Sequence, residues 1–257
     1  MSARRDIFET FRPWLDGTGY SAARIAAANA LCDRLGLPAN DNPPAAVPAP
    51  TRLADPAKFF AALRAGKYLG PTLSEGEVRG CTAIVEACGG AGFPLADTAY
   101  ALATAWLETG ATMLPITEYG GAAYFKRMYD IQGARPAKAR ELGNLAPGDG
   151  AKYCGRGYVQ LTGRSNYLKA GAALGIDLVS RPERALEPAI AATIMTRGMR
   201  EGWFTGRDLD DDLPRSGPAT LAQFVASRGI INGSDKAGTI AEAALHFQSA
   251  LRAGGWA

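Results

Sequence analysis

Histidine is almost missing from this 257-residue chain: there is one, His246. A Ser-His-Asp triad has a single candidate base, and the usual zinc ligand sets have little to draw on. Cysteine is scarce too. Cys32, Cys81, Cys88 and Cys154 form no CxxC pair. Cys81 and Cys88, seven residues apart in a helical segment, would lie about 10.5 Å apart along the axis, too far for a bridge. No run of about 20 apolar residues is present for a membrane span, and no run of about 7–15 follows Arg4 and Arg5 as a secretory signal would. The expectation is synthesis in the cytoplasm without membrane insertion, with any role outside depending on an export route other than a signal peptide. Val/Ile-rich runs are few, whereas Ala-rich runs abound, which predicts a mostly helical fold. Asp208, Asp210, Asp211 and Asp212 lack the alternation and glycine of a calcium loop and read as a solvated turn. No metal or organic cofactor is expected.

With 47% apolar and 21% charged residues, the composition is that of a globular chain. A chain of this size buries roughly 70–75% of its unfolded surface and needs no disulfide or metal to fold. The net charge is only +3, but it is uneven: Lys126 to Lys169 holds nine basic residues against Asp130, Glu141 and Asp149. Such a segment attracts polyanions, an anionic cell wall included. No nucleic-acid motif accompanies it, so nucleic acid is not expected as a partner.

Three segments are expected: a helical amino-terminal piece over 1–37, a Pro/Ala-rich linker over 38–56, and a main domain over 57–257. Phe8 and Phe60 each begin a similar pattern of short helix, glycine turn, capping Ser, second helix and a G-[Leu/Phe]-Pro stop. The stretch "PLADTAYALATAWLETG" reads as a helix with Leu95, Ala99, Leu102 and Trp106 inward and Gly110 as its stop. Further helices are expected from Pro188 (Ile190, Ile194, Met195 and Met199 inward) and from Lys236 (Ile240, Ala244, Phe247 and Leu251 inward). His246 falls off that last stripe and needs no catalytic role. Residues 110–158, rich in Gly and Pro, read as a long functional loop.

Glu108 ends the first of these helices, on a face it shares with Ala101, Thr104 and Ala105. Those small side chains suggest a face bordering a cleft. The negative end of the helix dipole favours the protonated carboxyl that a general acid needs. Glu118 follows ten residues later in "PITEYGG", where Pro115 and the glycines can turn the chain back. Two carboxyl groups across a sugar are the machinery of glycoside hydrolysis. Downstream, "KYCGRGYVQLTGRSNY" (residues 152–167) reads as a strand. Period-2 alternation would put Tyr158, Gln160 and Thr162 on a polar, substrate-facing side and Val159 and Leu161 in the core.

Taken together, "ALATAWLETGATMLPITEYGG", "YDIQGARPAKARELGNLAPGDGAKYCGRGYVQLTGRSNY" and "IINGSDK" resemble the glycoside hydrolase family 19 chitinases, most of all their phage endolysin members. The resemblance covers roughly residues 57–257. It implies a lysozyme-like α+β domain, mainly helical with a small β element, that cleaves β-1,4 bonds between N-acetyl-hexosamines with inversion. Carried over residue by residue, Glu108 is the general acid, Glu118 the base and Thr162 the group that helps hold the water. Gln160, Tyr158, Tyr167 and Asn232 would bind substrate, and Arg156 would steady the acidic centre. The chain departs from the pattern at Leu107, where many relatives have His, and at Cys154. These put the pH optimum and sugar contacts in doubt, not the reaction. The resemblance to endolysins and the basic segment favour peptidoglycan, with chitin second, and a monomer that reaches the wall through a holin-type or other non-Sec release. A non-catalytic wall-binding or virion module is the alternative of another class. Glu108, Glu118, Thr162 and Asn232 together argue against it.

Overall fold

The computed structural model describes residues 53–256. The expected segment 1–37 and most of the linker 38–56 lie outside the described residues. The described chain is mainly helical with one two-stranded antiparallel sheet, as the composition predicts. It falls into two compact units, one made of residues 53–118, 155–160 and 185–256, the other of residues 119–154 and 161–184.

The first unit begins at α1 (Pro56–Ala65), where Pro56 occupies the first turn and the Asp55 side chain accepts from Lys58 N at 3.0 Å. Its Phe59 and Leu63, one turn apart and fully buried, pack toward α10 (Ala237–Ala253), each contributing roughly 1.5–3 kcal/mol of burial. Ser74 and Glu77 form a reciprocal capping box that starts α2 (Glu75–Gly90). That helix buries Cys81, Ile84, Val85 and Cys88 and packs on α8 (Pro188–Arg200), whose Ile190, Ile194, Met195 and Met199 are buried as their spacing predicts. Burial pushes the Cys81 thiol up to about 12 and the Cys88 thiol further still, so both are inert packing groups.

At the centre of this unit runs α3 (Leu95–Glu108). Every residue from Ala96 to Ala105 is buried, and its main neighbour is α10. The expected small-residue face bordering a cleft is therefore corrected. Ala101, Thr104 and Ala105 are in the core, because small side chains let neighbouring helices approach. The buried face of α10 carries the expected Ile240, Ala244, Phe247 and Leu251. His246, beside it, lies 5.3 Å from the Tyr68 ring, and its desolvation keeps it neutral to lower pH than an exposed imidazole.

Asp97, in the first turn of α3, is 6% exposed, and burial pushes its carboxyl up to about 7. Arg200 opposes the shift and Asp210 adds to it. The unfolded chain ionises near 3.8 and the folded one near 7, so folding stability falls as pH rises across that window and stays reduced above it. Asp97→Asn is expected to leave stability unchanged at pH 4. At pH 8 it should raise stability by on the order of 1–2 kcal/mol, after discounting the group's residual exposure. Thermal melts of both proteins across pH check this, and a gap that shrinks toward alkaline pH would refute it.

The second unit holds α4 (Ala122–Tyr129), α5 (Pro136–Glu141), α6 (Asp149–Lys152) and α7 (Arg164–Leu174). Three of these helices occupy the stretch expected as a long loop. None exceeds eight residues, too few turns for a 3.6-residue stripe to emerge. Buried carboxylates hold them together instead. Asp130 accepts from Gln132 N, Gly148 N and Gly150 N, and Asp149 from Leu145 N and Ala146 N. Burial alone would raise the Asp130 carboxyl, but these backbone donors and Lys126 outweigh it and hold it below the usual range.

Candidate active site

Glu108 is the last residue of α3, and the turn after it is tightly wound. Thr109 Oγ1 donates to Ala105 O at 2.7 Å and accepts from Met113 N at 3.1 Å. Gly110, Ala111 and Met113 all have positive φ. Ala111 and Met113 are non-glycine residues in a sparsely populated region, which surrounding structure must enforce. Part of that structure is Gly80 of α2, where a Cβ would sit 1.6 Å from Met113 O. On the other side, Trp106 Nε1 donates to Tyr68 O at 3.0 Å. The helix end is thus clamped before any substrate arrives.

The carboxylate itself is held by a residue the motifs did not single out. Arg228, 2% exposed, donates from Nη1 to Glu108 Oε1 at 2.9 Å and from Nε to Asp235 O at 2.9 Å. Buried cations of this kind are retained only when paired and hydrogen-bonded. Arg228 opens the 3₁₀ turn that follows α9 (Leu221–Ser227), and its own carbonyl accepts from Asn232 N at 3.1 Å. One guanidinium therefore links the proposed acid to the turn carrying Asn232. The helix-dipole expectation for Glu108 is incomplete: a buried cation stands beside the carboxylate as well.

Glu118 follows β1 (Ile116–Thr117), which pairs with β2 (Arg156–Gly157) so that Ile116 faces Gly157 and Thr117 faces Arg156. Its backbone N donates to Gly155 O at 2.8 Å, and its Oε2 accepts from Gly155 N at 3.2 Å. Backbone and side chain are both tied to one residue, which fixes the carboxylate's direction. Gly157, at φ 92°, leaves room for β2 to approach Ala185 O, 3.2 Å from where a Cβ would be. Arg156 is half-buried across from Thr117, next to the residue that holds Glu118.

The strand expected over 152–167 is corrected. Only Arg156–Gly157 is strand, and a turn spans 158–160 with Gln160 at φ 53°. A turn abolishes the two-sided alternation, so Tyr158, Val159 and Leu161 are all buried. Tyr158 is fully enclosed, its phenol pushed up by burial, and it is a core residue rather than a sugar contact. Gln160 Nε2 donates to Gly157 O at 3.1 Å and to Ile116 O at 3.4 Å, so its amide N–H groups lock the two strands.

In the other unit, Thr162 is half-buried before α7, and its carbonyl accepts from Asn166 Nδ2 at 2.7 Å. Tyr167 is enclosed and donates to Cys154 O at 2.8 Å, with its ring 5.5 Å from that of Tyr153. It too is corrected from sugar contact to packing residue. The exposed aromatic of this unit is Tyr119, 83% accessible and adjacent in sequence to Glu118. Among the described residues no group of three His, Cys, Asp or Glu side chains could hold a metal, and Asp210 and Asp212 are paired with Arg215 and Arg207.

Two anchored carboxylates ten residues apart, one on a buried cation and one on a backbone amide, suit acid-base chemistry at a glycosidic bond. Residues 96–205, which hold Glu108, Glu118 and Thr162, match the model of glycoside hydrolase family 19, described as chitinase class I. Over that segment, less than half of the chain, the sequence is similar to the family 19 chitinases. It is similar to Chitinase 8 of Oryza sativa subsp. japonica, 52% identical over 40 residues, which is 16% of this chain and 15% of that protein. Acidic endochitinase Q of Nicotiana tabacum is 44% identical over 57 residues, 22% of this chain and 21% of that one. The matches thus span about a fifth or less of either relative. Among solved structures, chitinase C from Streptomyces griseus HUT6037 overlaps with a TM-score of 0.47 at 21% identity, covering 79% of this chain and 78% of that one.

Proposed function

We propose that this chain is a glycoside hydrolase that cleaves β-1,4 bonds in a polymer of N-acetyl-hexosamines by an inverting, two-carboxylate mechanism. The observation that carries the reading is the anchoring of Glu108 on Arg228 and of Glu118 on Gly155 N, within a segment that matches a glycosidase family. Glu108 gives its proton to the bridging oxygen as the bond to the anomeric carbon breaks. Glu118 takes a proton from the attacking water, which Thr162 helps to hold. Asn232 completes the substrate-binding set, and Gln160, expected there, instead positions the site by locking the two strands.

Peptidoglycan is the proposed polymer, supported by the likeness of the motifs to phage endolysins and by the basic stretch Lys126–Lys169. Chitin is the second reading, favoured by the names of the relatives just described. Delivery to the wall from the cytoplasm by a holin-type route belongs to the first reading. The test sets the purified protein against isolated peptidoglycan and chitin side by side, with mass spectrometry of the products. New reducing ends from peptidoglycan support the first reading. Cleavage of chitin alone transfers the assignment to the second, and cleavage of neither removes both.

A further inference from the structure

The basic stretch gains a definite shape in the structure. Between Ala122 and Glu141 the chain forms a helical hairpin, α4 then α5, with five cations and two carboxylates. The connection folds back closely: Ala134 N donates to Arg127 O at 2.9 Å, and a Cβ on Gly133 would lie 2.0 Å from Lys126 O. This brings the last turn of α4, with Lys126 and Arg127, beside the start of α5 at Arg135. Lys138 and Arg140 follow in the last turn of α5.

Neither carboxylate neutralises this surface. Asp130 is 1% exposed and turned inward, its oxygens taken by backbone N–H groups of Gln132, Gly148 and Gly150. Glu141 is paired with Lys138 at 2.7 Å. Lys126, Arg127, Arg135 and Arg140 are all exposed, and among the described residues none makes an ion pair. Arg127 stays near the Tyr124 ring, 5.8 Å from its centroid, which leaves the guanidinium edge open. Four exposed cations without an ion pair on one short hairpin, with Asp130 buried and the exposed Glu141 taken up by Lys138, leave a net positive field.

We infer that the hairpin Ala122–Glu141 is a docking surface for the stem-peptide carboxylates of peptidoglycan, holding the protein on its polymer between cleavages. The inference rests on the proposed reading of the chain as a wall-glycan hydrolase, and it favours peptidoglycan over neutral chitin. Anions recurring along a polymer match cations recurring along a hairpin, and such contacts weaken as salt shortens the screening length from about 8 Å at physiological strength to about 3 Å in molar salt.

The experiment is co-sedimentation of the full chain with sacculi free of teichoic acid, native or with their carboxyl groups amidated. It compares the parent with Lys126→Gln/Arg127→Gln/Arg135→Gln/Arg140→Gln and with the charge-keeping Lys126→Arg/Arg127→Lys/Arg135→Lys/Arg140→Lys. The parent and the charge-keeping variant are expected to bind native sacculi alike, and amidation or high salt should weaken both about tenfold. The neutralised variant should bind about tenfold more weakly from the start and ignore salt and amidation. All three should cleave a neutral N-acetylglucosamine oligomer at one rate. Amidation without effect on the parent, parent-like binding by the neutralised variant, or tighter binding to anionic vesicles or nucleic acid than to sacculi would overturn the docking surface. Failure of every protein to cleave oligomer or sacculi would instead remove the hydrolase reading, leaving the binding result to stand on its own.

Discussion

Glu108→Gln and Glu118→Gln are each expected to slow hydrolysis by about 10²–10⁴-fold, the cost of removing a general acid or base. Glu118→Gln should melt near the parent, whereas Glu108→Gln should melt lower, because it leaves Arg228 buried beside a neutral amide. The glutamine amide keeps the geometry of each anchor. Its oxygen can still accept from Arg228 Nη1 at position 108 and from Gly155 N at position 118. What it loses is the proton to give or take. The roles separate by substrate. An aryl glycoside with a good leaving group needs no proton on its oxygen, so it should restore the Glu108 variant and leave the Glu118 variant slow. Azide, a nucleophile that needs no base, should rescue the Glu118 variant alone. Parent-like rates for both variants on the polymer would end the catalytic reading and favour a binding module. A pattern of rescue with the positions exchanged would reverse the assignment of acid and base.

These two candidate residues could be proposed from the sequence because short motifs surround them. The apolar stripes of α8 and α10 and the Ser74 cap were legible for a different reason: they repeat over three or more turns, or sit at a helix start with its own hydrogen-bond signature. α3 was legible as a helix, but it is buried on every side rather than along one stripe. Two kinds of feature were not. Helices of four to eight residues between glycines show no period, and Asp130 and Asp149, which organise them, read as surface charge until their backbone donors are seen. The alternation in "YVQLT" was real as composition but belonged to a turn. Gly157 and Gln160, at φ 92° and 53°, break the extended backbone that alternation assumes. Tyr158 therefore went to the core with Val159, and the side-chain amide of Gln160 went to the strands. Arg228 was hidden by the general habit of arginine to stay exposed. The only trace was its place just before "IINGSDK", a motif read for its asparagine.

Arg228 also gives the largest expected effect on stability. Arg228→Met removes a guanidinium that is 2% exposed and leaves Glu108, 22% exposed, without its partner and Asp235 O without its donor. Breaking such a pair from the cationic side should cost about 3 kcal/mol, toward the low end for buried pairs because Glu108 keeps some water. Chemical denaturation would measure this loss. A purely structural arginine would stop there. A positioning one would also displace the acid, so kcat should fall more than KM rises on the polymer, and the acidic and basic limbs of the pH–rate profile should move. Arg228→Lys, with one charge but no fork, can reach Glu108 or Asp235 O but not both, and should recover part of the stability and less of kcat. The decisive measurement is the cycle with Glu108→Gln. If the two side chains act on each other as the 2.9 Å contact indicates, the double variant should be more stable than the sum of single losses predicts, by about 1.5–3 kcal/mol. Strict additivity would mean that the arginine supports the Asn232 turn alone and that Glu108 is held by something else.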